Sequence, residues 1–259
     1  MSETILVERN ETIATVVLNR PRKLNALTRS MWQGLGDAMR ALSDDDGVRC
    51  VVVRGAGEKS FSPGNDIGEF ETMRANREQA IDYGAVMHAT AQAIAECRHP
   101  TLAQIHGICV GGGLEIAALC DLRICGEGSR FGAPIKNLGL VMAYPEIAPL
   151  IELAGRSVAL ELLYEGRILD AREAYEKGLV NRVVPDHRVA DECRETARRI
   201  TDGAPLVARW HKKFARRLAR REPLTEAERL EAFDCFDTED FRAGYRAFLT
   251  KTKPVFSGR

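Results

Sequence analysis

Apolar positions along the first half of the chain switch between two spacings. Ile13 to Leu18 is a short β-branched run closed by Asn19-Arg20-Pro21, which predicts a strand ending in a turn. Thr28 stands where an N-cap belongs, ahead of Met31, Leu35, Met39 and Leu42 at helical intervals. Val48 to Arg54 predicts a buried strand stopped by Gly55-Ala56-Gly57, and Asp82 to Glu96 returns to helical spacing and ends before Pro100. Leu102 to Val110 reads as one strand. Gly111-Gly112-Gly113 then feeds a helix from Leu114 to about Leu119, and Leu122 to Cys125 is a further short strand. Strands alternating with helices predict an α/β architecture.

Beyond about Ala159 the pattern changes. Ala159 to Leu163, Ala171 to Lys177, Val189 to Thr201, Leu206 to Arg221 and Thr225 to Phe236 have helix-like spacing, and no clear strand follows Val180-Asn181-Arg182-Val183-Val184. The C-terminal third is expected to be a helical layer on the α/β core. A chain of 259 residues suits one large domain, or one with an appendage. At that length roughly 70–75% of the unfolded surface is buried on folding, so no disulfide or metal staple is required.

Charge and composition narrow the possibilities. Lys plus Arg equals Asp plus Glu at 37 each, so no whole-protein field draws nucleic acid or membrane. The basic segment Arg209 to Arg221 is offset by Glu222, Glu226, Glu228 and Glu231 and reads as a solvated helix face. The first residues carry early acids and no apolar core, and no stretch approaches ~20 uncharged apolar residues. The seven cysteines contain no C-x-x-C. A cytoplasmic chain with free thiols is the expectation.

The chemistry concentrates in His106-Gly107-Ile108-Cys109-Val110-Gly111-Gly112-Gly113-Leu114-Glu115. Glycine amides can approach a ligand closely, and a helix N-terminus adds unpaired N–H donors with partial positive charge. Such a place suits a negative oxygen. A phosphate loop needs Gly-Lys-Ser/Thr where Leu114-Glu115 stands, and a dinucleotide fingerprint needs G-x-G-x-x-G rather than this G-x-x-x-G-G-G. A smaller, transient anion fits better. In Phe61-Ser62-Pro63-Gly64-Asn65-Asp66-Ile67, Asp66 reads as a helix cap, while the Asn65 amide is a candidate second donor to the same oxygen.

Together these segments resemble the enoyl-CoA hydratase/isomerase (crotonase) superfamily. Arg20-Pro21-Arg22-Lys23-Leu24-Asn25-Ala26-Leu27, Cys120-Asp121-Leu122-Arg123, Gly178-Leu179-Val180-Asn181-Arg182-Val183-Val184 and the tail Phe248, Lys251, Lys253-Pro254-Val255-Phe256 match in the same order. The resemblance implies a ββα superhelical core over 1–200, carrying an acyl-CoA site. It also implies a C-terminal helical trimerisation region over 201–259, and a homotrimer or homohexamer. Coenzyme A is then part of the substrate, with no separate cofactor and no metal. The Asn65 and Gly112 amides would form an oxyanion hole for the thioester carbonyl, with the Asn65 side chain crowding or polarising the pocket. Lys23, Leu24, Ser62, Asp66, Ile67, Gly111, Pro134, Ile135 and Lys251 would line the substrate site.

One position departs from the pattern. Hydratases of this family use two glutamates to activate water and to deliver a proton to the α-carbon. Glu115 occupies the first position, but Phe131-Gly132-Ala133-Pro134-Ile135 carries Ile135 at the second. Read locally, Glu115 also suits a helix N-terminus by complementing its dipole. Glu146, Tyr144 and His88 are substitutes for the missing carboxylate, with helix capping by Glu146 and a packed His88 as ordinary alternatives. Phe70, Met73, Met87, Met142 and Tyr144 are apolar-pocket candidates. The expectation is a hydratase-like enzyme with Glu115 as acid/base. The alternatives are an isomerase, decarboxylase or thioester hydrolase of the same family, and a non-catalytic acyl-CoA- or RNA-binding relative.

Overall fold

The computed structural model describes residues 4–259. Its first element is a hairpin, β1 (Ile5–Asn10) against β2 (Ile13–Leu18), turned by Glu11 in left-handed conformation. The β2 limits match the apolar run. β1 carries no such run, because Glu8, Arg9 and Asn10 face solvent at the sheet edge. α1 (Arg29–Asp44) starts where Thr28 Oγ1 accepts from the Met31 N–H at 3.2 Å, and its buried stripe includes Met31, Trp32, Leu35, Met39 and Leu42.

Successive ββα turns follow. β3 (Cys50–Gly55), β4 (Ser60–Ser62), the short α2 (Phe70–Met73) and α3 (Arg77–Glu96) make the first. β5 (Thr101–Ile105), β6 (Ile108–Val110) and α4 (Gly112–Leu119) make the next. Then come β7 (Leu122–Gly126), β8 (Arg130–Gly132) and α5 (Tyr144–Glu165), which kinks at Gly155. β9 (Leu169–Asp170), α6 (Ala171–Glu176) and β10 (Arg182–Val184) close the core. Among the described residues, one six-stranded sheet runs β1-β2-β3-β5-β7-β10 and a four-stranded sheet runs β4-β6-β8-β9. Each turn gives its first strand to one sheet and its second to the other, as the ββα superhelix requires.

The single strand expected over Leu102 to Val110 is two strands in different sheets. The break falls at His106-Gly107, where Gly107 takes φ +58° and a Cβ would lie 2.0 Å from the Lys59 carbonyl oxygen. The chain turns there from one sheet into the other, and His106-Gly107 between two short apolar stretches is the signal of it in the sequence.

α7 (Val189–Thr201) covers the larger sheet with Val189, Cys193 and Ala197. α8 (Pro205–Ala219), α9 (Glu226–Leu230) and α10 (Glu239–Thr250) follow. The helix expected over Thr225 to Phe236 is α9 plus a 3₁₀ stretch, Glu231–Asp237, and α10 has no counterpart in the apolar pattern. Cations of the basic segment are paired: Lys212 with Asp121 at 2.8 Å, Arg217 with Glu228 at 2.5 Å, and Lys213 with Glu231. No helix of the described residues is long and apolar enough to cross a membrane.

β4, β6 and β8 are parallel neighbours. Their C-terminal ends therefore emerge side by side, carrying Pro63-Gly64-Asn65, Gly111-Gly112 and Ala133-Pro134-Ile135. The crevice beyond the carboxyl ends of parallel strands is where α/β proteins bind ligands.

Candidate active site

Two backbone segments meet at this edge. Leu27 and Asn65 form a parallel bridge in which the Leu27 N–H donates to the Gly64 carbonyl and the Asp66 N–H to the Leu27 carbonyl, both at 2.8 Å. Those bonds use the groups on either side of Asn65, so its own N–H points away from Leu27. Gly64 takes φ +95°, and a Cβ there would stand 2.7 Å from the Gly112 nitrogen. Only glycine permits this approach of the two chains.

The neighbouring amide is already committed. Gly111 N–H donates to the Gly132 carbonyl at 2.9 Å, so Gly111 is a brace between β6 and β8 rather than a free donor. Helix α4 starts one residue later, with Gly111 as its N-cap, and its first intrahelical bond is Glu115 N–H to Gly111 C=O at 3.0 Å. The glycines thus form the cap and first turn of α4 rather than a loop ahead of it. Gly112 N–H belongs to the orphan donors of that turn.

The Asn65 side chain does not crowd this corner. Its Oδ1 accepts from Trp32 Nε1–H at 2.6 Å, and its Nδ2 lies 3.6 Å from Met87 Sδ. The Trp32 ring also underlies Gly112, where a Cβ would meet it at 2.9 Å. One buried indole therefore touches both segments, itself tied down by Thr90 Oγ1–H donating to the Trp32 carbonyl at 2.7 Å.

Glu115 lies one helical turn into α4 and is only 2% exposed. Its Oε1 is buried without a hydrogen-bond partner. Burial, reinforced by the Glu146 carboxylate, pushes its pKa up to about 8 against a weaker opposing pull from Arg74. Glu115 stands in the first turn of α4 but makes no side-chain cap bond there. A buried, unpartnered carboxyl of this kind is a functional-site candidate.

Helices α3, α4 and α5 pack together and bring the other groups in. Glu146 sits in the first turn of α5, where Oε2 accepts from the Ala143 N–H at 2.9 Å and Oε1 lies 3.2 Å from His88 Nε2. It caps its helix and also presses its charge on Glu115. His88 is half-buried on α3 and partners Glu146 rather than packing alone. Tyr144 is 91% exposed and is not part of this cluster. Ile135 is half-buried in the 3₁₀ segment Pro134–Leu138 beyond β8, and Pro134 opens that segment.

Other expected contact residues are engaged internally. Ser62 Oγ–H donates to the Asn25 carbonyl at 2.9 Å and Oγ accepts from the Gly64 N–H at 3.1 Å, which makes Ser62 a buried brace. Asp66 pairs with Arg20 at 2.5 Å and accepts from the Gly68 N–H at 3.0 Å, and both hold its carboxyl below the usual range. It is the helix cap read from sequence. Lys23, Leu24 and Ile67 are exposed at the rim. Lys251 caps α10, exposed and without an ion-pair partner among the described residues. Trp32 and Arg74 were not singled out by pattern. Trp32 lies on the apolar stripe of α1, and Arg74 reaches the cluster only through the folded α2–α3 junction.

The comparisons with known proteins agree with this geometry. A sequence profile described as enoyl-CoA hydratase/isomerase matches residues 8–259. A crotonyl-CoA hydratase of Syntrophomonas wolfei is 33% identical over 257 residues, covering 98% of each chain. A short-chain-enoyl-CoA hydratase of Clostridium acetobutylicum is 32% identical over 251 residues, covering 96% of this chain and 95% of that one. The crystal structure of an enoyl-CoA hydratase/carnithine racemase from Magnetospirillum magneticum superposes with a TM-score of 0.98 at 48% identity, covering 100% of this chain and 97% of the other. With a profile spanning nearly every residue and a ββα core that matches solved relatives end to end, this chain belongs to the enoyl-CoA hydratase/isomerase family.

Proposed function

We propose that the protein hydrates an enoyl-CoA thioester, with the Asn65 and Gly112 amides holding the thioester oxygen and Glu115 paired with Glu146 for proton transfer. The observation that carries this is the second carboxylate. Ile135 cannot move a proton, but Glu146 reaches the same cluster from α5 and acts electrostatically on Glu115.

In this reading Glu146 takes a proton from water as the water oxygen bonds to the β-carbon. The electrons of the double bond move toward the thioester oxygen, where the two amides stabilise the enolate. Glu115, protonated near pH 7, gives its proton to the α-carbon as the carbonyl re-forms. The proton on Glu146 leaves through His88, which is one-third exposed, and Glu115 is reprotonated from solvent. Lys23, Leu24, Ile67 and, from the tail, Lys251 would contact the coenzyme A moiety. Residues 1–200 would hold the site and 201–259 the trimer or hexamer contacts, in a cytoplasmic enzyme that needs no further cofactor.

The test is loss of conjugated enoyl absorbance on incubation with crotonyl-CoA, for wild type, Glu115→Gln and Glu146→Gln. Turnover that both variants lose supports the assignment. A folded wild type that leaves crotonyl-CoA, longer enoyl-CoA thioesters and glutaconyl-CoA all untouched overturns it. Ile135 favours a second reading, isomerisation, decarboxylation or thioester hydrolysis at the same oxyanion corner, which product masses from an acyl-CoA panel would reveal.

A further inference from the structure

Arg74 is a cation without an anion. It ends α2, donating its backbone N–H to the Phe70 carbonyl at 3.0 Å, at the junction with α3. Its guanidinium carbon lies 4.9 Å from the ring centroids of both Phe70 and Tyr83. Nε and Nη1 are buried with no hydrogen-bond partner, and no carboxylate of the described residues lies within ion-pair distance. Glu69, close by in sequence, is already occupied: its Oε2 accepts from Tyr83 Oη–H at 2.9 Å and from the Arg29 N–H at 2.8 Å. The aromatic faces favour the charge, but they give its N–H edge nothing to donate to.

An arginine stays charged, and burying its donors unpaired is costly. Such an arrangement is retained where a ligand completes it. Glu115 does not, because its own Oε1 is also partnerless and Arg74 is too weak an influence to keep it ionised. Arg74 nevertheless acts electrostatically on Glu115, the residue assigned to the α-carbon. With Glu115 at the α-carbon, as proposed above, a ligand group that meets Arg74 belongs to the acyl part of the thioester.

We infer that Arg74, clasped by Phe70 and Tyr83, binds a free carboxylate on the acyl group, so that the substrate is the mono-thioester of a dicarboxylic acid. The planar guanidinium edge and a carboxylate fit as a two-point hydrogen-bonded pair, and with donors as buried as these that pair discriminates strongly against a methyl terminus. Placing the acyl group rests on the reading of Glu115 given above. Binding of a saturated thioester does not depend on hydration.

The experiment compares glutaryl-CoA with butyryl-CoA by titration calorimetry, on wild type, Arg74→Gln and Arg74→Lys. Wild type is expected to prefer glutaryl-CoA by about ten- to a hundredfold, the range of a charge-assisted hydrogen bond. Arg74→Gln should bring the two affinities together, and Arg74→Lys should keep part of the preference. Equal affinities in wild type overturn the inference even if the variants fail to fold, as does a preference that survives in Arg74→Gln. If Arg74 served only as a distant counter-charge to Glu115, its loss would weaken both ligands alike and move only the pH profile. Preference for glutaryl-CoA without hydration of crotonyl-CoA or glutaconyl-CoA would sink the hydratase assignment and leave this one standing. Hydration of crotonyl-CoA with no such preference would do the reverse.

Discussion

Replacing Glu115 by glutamine is expected to stabilise the protein, increasingly so as pH rises. In the unfolded chain this carboxyl titrates near its ordinary 4.5, whereas in the fold it is pushed up to about 8. Between those values the native state holds a proton that the unfolded state has released, so stability falls as pH rises through the interval and levels off above it. The interval, about 3.5 pH units, corresponds to ~5 kcal/mol, an upper bound because water entry and side-chain relaxation soften the penalty of ionising the buried group. Glutamine fills nearly the same volume and has no charge to bury. The assay is denaturant unfolding of wild type and Glu115→Gln from pH 5 to pH 9 at one protein concentration. Subtracting the curves cancels the titrating groups that do not interact with Glu115 and leaves its own term with that of its neighbour Glu146. The difference should be small at pH 5 and grow to ~2–5 kcal/mol in favour of the variant by pH 9. A flat difference, or one that favours wild type more as pH rises, refutes the reasoning. Loss of turnover in the same variant would show stability given up for chemistry.

Glu146→Gln removes the like charge facing Glu115, so the Glu115 carboxyl should titrate below about 8 in a carbon-13 NMR titration; an unmoved resonance would break the link between the two. Asn65→Ala keeps the backbone amide but strands the Trp32 Nε1–H now 2.6 Å from Oδ1, which should cost ~1–3 kcal/mol of stability. Its kcat/KM should stay within about tenfold of wild type, because a loss near the 10²–10³ range expected for a missing oxyanion donor would mean that the side chain does the work assigned to the amide. Gly64→Ala combines φ +95° with a methyl 2.7 Å from the Gly112 nitrogen and should destabilise by ~2–4 kcal/mol, visible as a lower Tm; an unchanged Tm would show that the two segments can part.

Local patterns were readable where one segment decides its own conformation. Thr28 announces α1 because its hydroxyl and the apolar stripe behind it act within a few residues. Three successive glycines announce a chain that must approach something, and they do approach Gly64, Trp32 and the Ser62 carbonyl. β1 escaped notice because an edge strand half in water needs few apolar residues. The break inside Leu102–Val110 escaped because both halves are apolar, although His106-Gly107 between them marks it. The partners of Glu115 lay further beyond reach, since α3, α4 and α5 pack together only after the sheets are formed. Glu146 could be named as a candidate, but Arg74 sends no local signal at all.

That division has a physical basis in the site itself. The close approach of the two segments depends on glycine at Gly64, which meets the Gly112 backbone, and at Gly112, which meets the Trp32 ring, and the proposed oxyanion corner tolerates Asn65 because its side chain turns toward Trp32. The groups proposed for proton transfer are held less strictly. Both position 135 and position 146 follow β8, one in the 3₁₀ segment and one in the first turn of α5. A carboxylate at 146 gains an N–H from Ala143, the positive end of the helix dipole and contact with His88.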